Sequence, residues 1–261
     1  MQRISDSWVN KGGVSKDVAG WDARADTFNG PIASRNEPFV SLIYDVANPN
    51  KDSTEILDIG SGTGRFSLAF VNDAKRILGY DLSPVMVGMA NERPEVKDNP
   101  NVEFRAADWD VLDVSDIGRF NLTIANMTPA ICSKSTFEKM LSLSDGWCFL
   151  SGHISRGEGL WGELNRLVGK ELPVESNKLL FVMDMLWEKG LDPVIRYTTG
   201  KHKRTMPADY AEKSFLEAAS KMPDNTPEKE QRIKDIIASL TENGNLVMDS
   251  SPTSAMLYWH M

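Results

Sequence analysis

The stretch "EILDIGSGTGRFSLAF", Glu55 to Phe70, sets three glycines, Gly60, Gly62 and Gly64, directly behind an apolar run. An apolar strand, a glycine-rich turn and a helix constrain a whole chain, because such a strand is covered on both faces and its successor runs parallel to it. Glycine adopts left-handed backbone without steric cost and lets the main chain approach a neighbour closely. That neighbour is either the protein's own chain in a tight turn or a ligand lying on the loop. A helix from Arg65 to Asn72 would present unpaired N–H groups to such a ligand. The spacing G-S-G-T-G departs from the G-x-G-x-x-G of dinucleotide sites, and no lysine follows, so the loop is not a P-loop.

The pattern continues downstream. Apolar runs at Glu55–Ile59, Arg76–Asp81, Val102–Ala106, Phe120–Ala125 and Trp147–His153 lack strict polar alternation, as strands covered on both faces do. Between them, Arg65–Asn72, Pro84–Arg93 and Lys134–Leu143 are long enough to be crossover helices. Ser83 and Pro84 suit N-cap and first-turn positions. The sequence therefore predicts an α/β fold with a doubly wound parallel sheet. Upstream, Trp21, Ala25 and Phe28 share one helix face, and a second helix runs over Glu37–Ala47. Beyond the core, Leu160–Val168 and Lys178–Lys189 read as helices, the second stopped by Gly190. Pro193–Met206 reads as a strand, and Thr226-Pro227 opens a helix that carries Ile233, Ile236, Ile237 and Leu240. Asn245–Trp259 reads as a last antiparallel strand with a bend at Ser250-Ser251-Pro252.

Two acidic positions raise the ligand reading of the glycine loop. Asp81 ends the second run, where a carboxylate can accept both ribose hydroxyls of an adenosine; it can equally place charge at the next helix N-terminus. Asp108, in "FRAADWD", follows the third run, where it can receive an adenine amino group, and Trp109 beside it can cover the ring.

With these in place the sequence resembles the class I S-adenosylmethionine-dependent methyltransferases, most of all the small-molecule branch labelled methyltransferase type 11. The matching stretches are "ILDIGSGTGRFS", "ILGYDLSPVMVGMA", "VEFRAADWDVL", "FNLTIANMTPAI" and "DGWCFLSGH", in the family's order, over residues 54 to 153. "WDARADTFN" resembles that branch's aromatic-acidic helix, which places Trp21 over the methionine end of the cofactor. The resemblance implies a Rossmann-like, doubly wound seven-stranded sheet, six strands parallel and the last antiparallel, under a helical lid. It implies residues 1–50 as an N-terminal lid, 51–155 as the cofactor-binding core and 156–261 as the rest of the sheet with lid insertions, in one compact domain. It also implies contacts. Asp58 and the loop Gly60, Ser61, Gly62 and Gly64 hold the amino acid and sulfonium portion. Asp81, with Leu82 beside it, takes the ribose; Asp108 and Trp109 take the adenine; Asn126 and Met127 line the methyl-transfer pocket.

Methyl transfer is an in-line displacement that asks the protein to align a nucleophile and exclude water, with a base where a proton must leave. His153, ending the fifth run at the crevice edge, is one candidate base, and anchoring the next loop is its other reading. Asn126 either orients a substrate or caps the strand exit. The basic cluster Lys201, His202, Lys203 and Arg204 reads as a solvated strand end, and His260 as structural. "NMTP" at Asn126–Pro129 lacks the Asn/Asp-Pro-Pro-aromatic tetrad of the superfamily's amino-methylating nucleic-acid enzymes. The insertions Arg156–Lys189 and Pro207–Asn243 are expected to set the substrate. In the first, the Met-rich stripe Leu179–Met185 with Trp187 reads as core packing or as a pocket wall.

Bulk properties narrow the class. Of 261 residues 41% are hydrophobic, enough for one large domain. Net charge is −8, from 37 acidic against 29 basic residues; this disfavours a nucleic-acid acceptor, which calls for a basic face. Only Cys132 and Cys148 are present, with three scattered histidines. That argues against a disulfide framework, a bound metal and arsenite as acceptor. A polar Met1–Lys16 and the lack of a long apolar window lead to an expectation of a cytoplasmic protein without a membrane span. The expected activity is methylation of a small-molecule O, N, S or C nucleophile. The alternatives are a nicotinamide-dependent oxidoreductase, a non-catalytic cofactor-binding regulator and a protein methyltransferase.

Overall fold

The structure, a computed structural model, describes residues 3–9, 13–155, 159–169, 176–200, 202–250 and 253–261. In chain order, helices α1 (Val18–Asp22), α2 (Ala25–Phe28) and α3 (Pro38–Ala47) precede strands β1 (Glu55–Ile59) and β2 (Arg76–Asp81). Helices α4 (Pro84–Asn91) and α5 (Pro94–Lys97) lead to β3 (Val102–Ala106) and β4 (Phe120–Ala125). Then come α6 (Lys134–Ser142), β5 (Ser144–Ser155), α7 (Gly159–Leu167) and α8 (Ser176–Glu188). The remainder is β6 (Val194–Thr199), β7 (His202–Pro207), α9 (Ala208–Ser220), α10 (Pro227–Ser239), β8 (Thr241–Glu242), β9 (Asn245–Ser250) and β10 (Thr253–His260).

Seven strands form one sheet in the order β3-β2-β1-β4-β5-β10-β6, six parallel and one antiparallel. β1 pairs in parallel with β2 on one side and β4 on the other, so the strand order reverses there. The mouth of a doubly wound sheet lies outside the strand carboxyl ends at such a reversal. β1 and β2 are buried from end to end except their outer residues, which is why they read as unbroken apolar runs.

The local signals explain the helix ends. Ser83 Oγ accepts from Met86 N–H and Pro84 fills the first turn of α4, a position with no intrahelical donor to lose. Thr226 caps α10 through Lys229 N–H, with Pro227 next. Gly190, at φ +72, follows the end of α8.

Four expectations change. The helix predicted over Arg65–Asn72 is a single 3-10 turn, Ser67–Phe70. Trp21, Ala25 and Phe28 do not share one helix: α1 and α2 are separate, with Ala23 and Arg24 between them, although the Trp21 and Phe28 rings still meet, their centres 5.8 Å apart. Pro193–Met206 is not one strand, because Gly200 interrupts it and β6 and β7 join different sheets. The last run also divides, with β9 in the small sheet and β10 in the large one. The interruption at Ser251-Pro252 lies outside the described residues, as does Lys201 of the basic cluster.

The chain divides into two compact units. The first comprises residues 1–152, 177–196 and 256–261. Its core packs α3 (Phe39, Val40, Leu42, Ile43) with Ile56, Ile77, Leu122, Ile124 and Phe149 of the sheet. The second comprises residues 153–176 and 197–255 and contains the antiparallel sheet β7-β9-β8. There α7, α9 and α10 pack through Leu164, Phe215, Ile233, Ile236 and Ile237 onto Leu246 and Met248 of β9. Among the described residues no helix is long and apolar enough to cross a membrane.

Candidate functional site

A cavity of about 340 Å³ opens in the first unit, and its walls come from the chain segments that leave β1, β2, β3 and β4 at their carboxyl ends. Gly60, Ser61, Gly62 and Thr63 follow β1; Tyr80, Asp81 and Leu82 end and follow β2. Ala107, Asp108, Trp109 and Asp110 follow β3, and Asn126 to Ala130 follow β4. The N-terminal segment closes one side with Trp21, Thr27, Phe28 and Gly30. That segment is tied down rather than loosely laid. Thr63 Oγ1 donates to the Phe28 carbonyl at 3.0 Å, and Arg93 donates to the carbonyls of Thr63 and Gly30, each at 2.9 Å. The Arg24 guanidinium sits over the Trp21 ring, 4.3 Å from its centre.

The three glycines serve different needs. All have positive φ: +73 at Gly60, +56 at Gly62 and +73 at Gly64. A methyl group on Gly60 would lie 1.9 Å from Thr128 Oγ1, and one on Gly64 would lie 2.7 Å from the Phe104 ring. At Gly62 the nearest neighbour is Met86 Sδ at 3.7 Å. Two of the three are therefore required by the protein's own packing, and only Gly62 has room in front of it. Four N–H groups of the loop are engaged within the protein. Gly60 and Ser61 N–H donate to the Tyr80 carbonyl, Gly62 N–H to Asp81 Oδ2, and Gly64 N–H to the Ser61 carbonyl. With only a 3-10 turn behind the loop, the site draws its polarity from side chains.

Carboxylates supply it: Asp81, Asp108 and Asp110 line the cavity, and Asp58 lies behind it. Asp81 accepts from the N–H groups of Gly62 and Ser83, both at 2.8 Å, which fixes both its oxygens at the cavity edge. Burial raises its pKa, the two backbone donors oppose this, and the charge of Asp22 adds to the rise. Asp108 Oδ1 accepts from Asp110 N–H at 3.0 Å, and its Oδ2 lies 2.6 Å from Lys16 Nζ. Asp58, 3% exposed on β1, is not among the lining residues. Burial pushes its pKa up to about 7, a hydrogen bond from Ser67 opposes this, and Asp81 adds to it.

The structure brings Trp21, Gly60, Ser61, Gly62, Asp81, Leu82, Asp108, Trp109, Asn126 and Met127 to one cavity; Asp58 and Gly64 lie behind it. Trp109 is 3% exposed, its indole N–H donates to the Thr136 carbonyl at 3.0 Å, and Lys139 Nζ lies 5.8 Å above its ring. It is a wall fixed from behind rather than a mobile cover. His153 belongs to the second unit, with Nδ1 3.1 Å from Ser254 Oγ, and is not among the lining residues. Sequence reasoning passed over Lys16, Arg65, Thr128 and Cys132, which also belong to this site. Arg65 and Thr128 lie within the glycine-loop and "NMTP" stretches but were given no role there, and no local motif marks Lys16 or Cys132. Among the described residues no group of three or more His, Cys, Asp or Glu side chains is placed to hold a metal ion.

Residues 56–143 match the model of a family described as "Methyltransferase domain". The release factor glutamine methyltransferase of Aliivibrio fischeri is 31% identical over 93 residues, which cover 34% of this chain and 31% of that protein. The 23S rRNA (uracil(1939)-C(5))-methyltransferase RlmD of Marinomonas sp. is 36% identical over 76 residues, covering 29% of this chain and 17% of that protein. The shared stretch is thus under a third of each curated relative's length. Among solved structures, Haemonchus contortus phosphoethanolamine N-methyltransferase 2, in complex with phosphomonomethylethanolamine and S-adenosylhomocysteine, superposes with a TM-score of 0.54 at 13% identity. That match covers 96% of this chain and 60% of the other, and at such identity it is a likeness of fold.

Proposed function

We propose, from the premise that residues 56–143 make this chain a class I S-adenosylmethionine-dependent methyltransferase, that it methylates a small-molecule nucleophile held beside Asn126 and Met127. When bound, the cofactor supplies a methyl carbon made electrophilic by its sulfonium. The residues present suit it. Asp81 has both oxygens oriented by backbone donors yet retains lone pairs for the ribose hydroxyls. Asp108 takes the adenine amino group, and Trp109 forms the wall behind it. Trp21 and Phe28 exclude water from the methyl-bearing end, which strengthens the polar contacts within.

The observation that carries this reading is the meeting of Asp81 and Asp108 on one cavity whose near wall is the glycine loop. A small acceptor is supported by the excess of acidic residues, since a nucleic-acid acceptor is gripped through its phosphates by basic ones. Calorimetry with S-adenosylmethionine, S-adenosylhomocysteine and a nicotinamide dinucleotide tests the cofactor. The two adenosyl compounds should bind and the dinucleotide should not. Asp81→Ala should weaken binding by about 10- to 100-fold, the range for losing hydrogen bonds to a charged group. Unchanged affinity in that variant removes Asp81 from the site. Radiolabelled methyl donor incubated with the protein and a cell extract tests the acceptor class. Label should enter the low-mass filtrate; label confined to RNA or protein defeats the small-molecule reading.

A further inference from the structure

Asn126 is held one way round by a residue behind the cavity. Ser151, 1% exposed on β5, lies where β4 ends, beyond the parallel pair Ala125 and Leu150. Its hydroxyl oxygen accepts from Met127 N–H at 2.9 Å and lies 2.6 Å from Asn126 Oδ1. A serine hydroxyl has a single hydrogen to give. The 2.6 Å separation belongs to O–H···O bonds rather than to N–H···O bonds, so Ser151 donates and the Asn126 carbonyl accepts. The amide carbonyl is thereby occupied, and the two Nδ2 hydrogens remain for the cavity that Asn126 lines. The same loop is fixed from the other side, where Lys178 Nζ donates to the Thr128 carbonyl at 2.9 Å. Between these two anchors Met127 is held at φ +51, a conformation that a bulky side chain adopts only where its surroundings impose it.

We propose that Ser151 is a positioning residue that gives the acceptor pocket a donor face, so that the site takes an oxyanion acceptor, a carboxylate or phenolate, and rejects a protonated amine. This rests on the methyltransferase reading above. A protonated amine carries only donors and meets the Asn126 N–H groups unfavourably. An anionic oxygen accepts from them. Such an oxygen also needs no base, and no histidine is among the described residues that line the cavity. In the transfer the oxygen lone pair forms the O–CH3 bond as the S–CH3 bond breaks. The pair of that bond returns to sulfur, and the oxyanion ends as a neutral ether or ester with no proton released.

The test uses the full chain, 15N-labelled and saturated with S-adenosylhomocysteine, titrated with benzoate, 4-nitrophenolate and benzylammonium. The Asn126 side-chain NH2 signals are identified by their loss in Asn126→Asp. Both oxyanions should move those protons downfield and bind about tenfold or more tightly than benzylammonium, the scale of a hydrogen bond to a charged group. In Ser151→Ala the amide is free to turn. The preference should fall to within about threefold while affinity for S-adenosylhomocysteine stays within about threefold; Ser151→Thr, which keeps the hydroxyl, should restore the preference. Equal binding of the ammonium in the wild type, or an undiminished preference in Ser151→Ala, overturns the proposal. Should Ser151→Ala not fold, Asn126→Asp decides, because exchanging donors for an acceptor must invert the probe order, and an unchanged order overturns it. Failure of S-adenosylhomocysteine to bind is seen before any probe is added, and defeats both this inference and the reading beneath it.

Discussion

Lys16 Nζ stands 2.6 Å from Asp108 Oδ2 and 2.9 Å from Asp110 Oδ2, so one cation clamps the segment after β3 to the N-terminal segment that walls the cavity. Burial works to lower the Lys16 pKa, but the bonds to the two carboxylates outweigh it and raise the value. The pair is placed to control passage at the adenine end, because opening the N-terminal side requires breaking it. Lys16→Met should therefore speed release of S-adenosylhomocysteine by about three- to tenfold. The loss in folding stability should stay under about 1 kcal/mol, since the three side chains are partly exposed. Stopped-flow tryptophan fluorescence measures the release, and an unaltered rate would show that the pair does not gate the site.

The glycines yield a contrast that separates packing from ligand contact. Gly60→Ala should cost about 3 kcal/mol or more, combining a left-handed residue with a contact at 1.9 Å to Thr128 Oγ1. Gly62→Ala has the same backbone penalty of about 1 kcal/mol without the clash, because its nearest neighbour is 3.7 Å away. Gly62→Ala should thus fold and yet bind the cofactor poorly. Urea denaturation alongside calorimetry checks both, and equal stability losses for the two variants would refute the packing argument.

Asp58 makes stability fall with rising pH over a defined window. Burial first, then the charge of Asp81, lifts its pKa from the ordinary 3.8 to about 7. The folded state therefore holds a proton that the unfolded chain has already released. The stability this contributes is fully present below about pH 4, declines between about 4 and 7, and is gone above about 7. Asp58→Asn removes that dependence. Subtracting the variant's stability profile from the wild type's should give a slope confined to this window, and a flat difference would place the Asp58 carboxyl in an ordinary environment.

How much of this was legible in the sequence follows from what is local. β1 to β4 begin and end where the apolar runs do, and β1, β2 and β4 are buried along most of their length. β3, at the sheet edge, is covered only at Val102 and Phe104 and exposes Glu103, Arg105 and Ala106, contrary to the expectation of a strand covered on both faces. Ser83, Pro84, Thr226 and Pro227 marked helix starts through chemistry that acts within four residues. The sheet assignment of β6, β7, β9 and β10 was not legible: which sheet a strand joins depends on partners far along the chain, as with Arg204 opposite Met248. The same limit governs the site. Asp81 and Asp108 announce themselves by following apolar runs, whereas Lys16 reaches Asp108 across 92 residues and Ser151 reaches Asn126 across 25. Nor does spacing reveal that Gly60 and Gly64 yield to Thr128 and Phe104 rather than to a ligand.

Cys132 offers a footprint of the cavity that needs no acceptor. It lines the site at intermediate exposure, whereas Cys148 is fully buried. Burial raises the Cys132 pKa above that of an ordinary thiol; hydrogen bonds with Ser15 and Thr136 and the charge of Lys16 work against the rise. Since the thiolate is the nucleophile, alkylation by iodoacetamide at pH 7 should be slower than for a free thiol and should quicken as pH rises. S-adenosylhomocysteine should slow it further by filling the cavity beside Ser15 and Asp110. Cys148, whose pKa burial pushes up to about 12, should react only after denaturation. Peptide mass mapping after timed labelling reads both sites in one sample. Labelling of Cys132 at the same rate with and without S-adenosylhomocysteine would place the cofactor somewhere other than the cavity that Asp81 and Asp108 share.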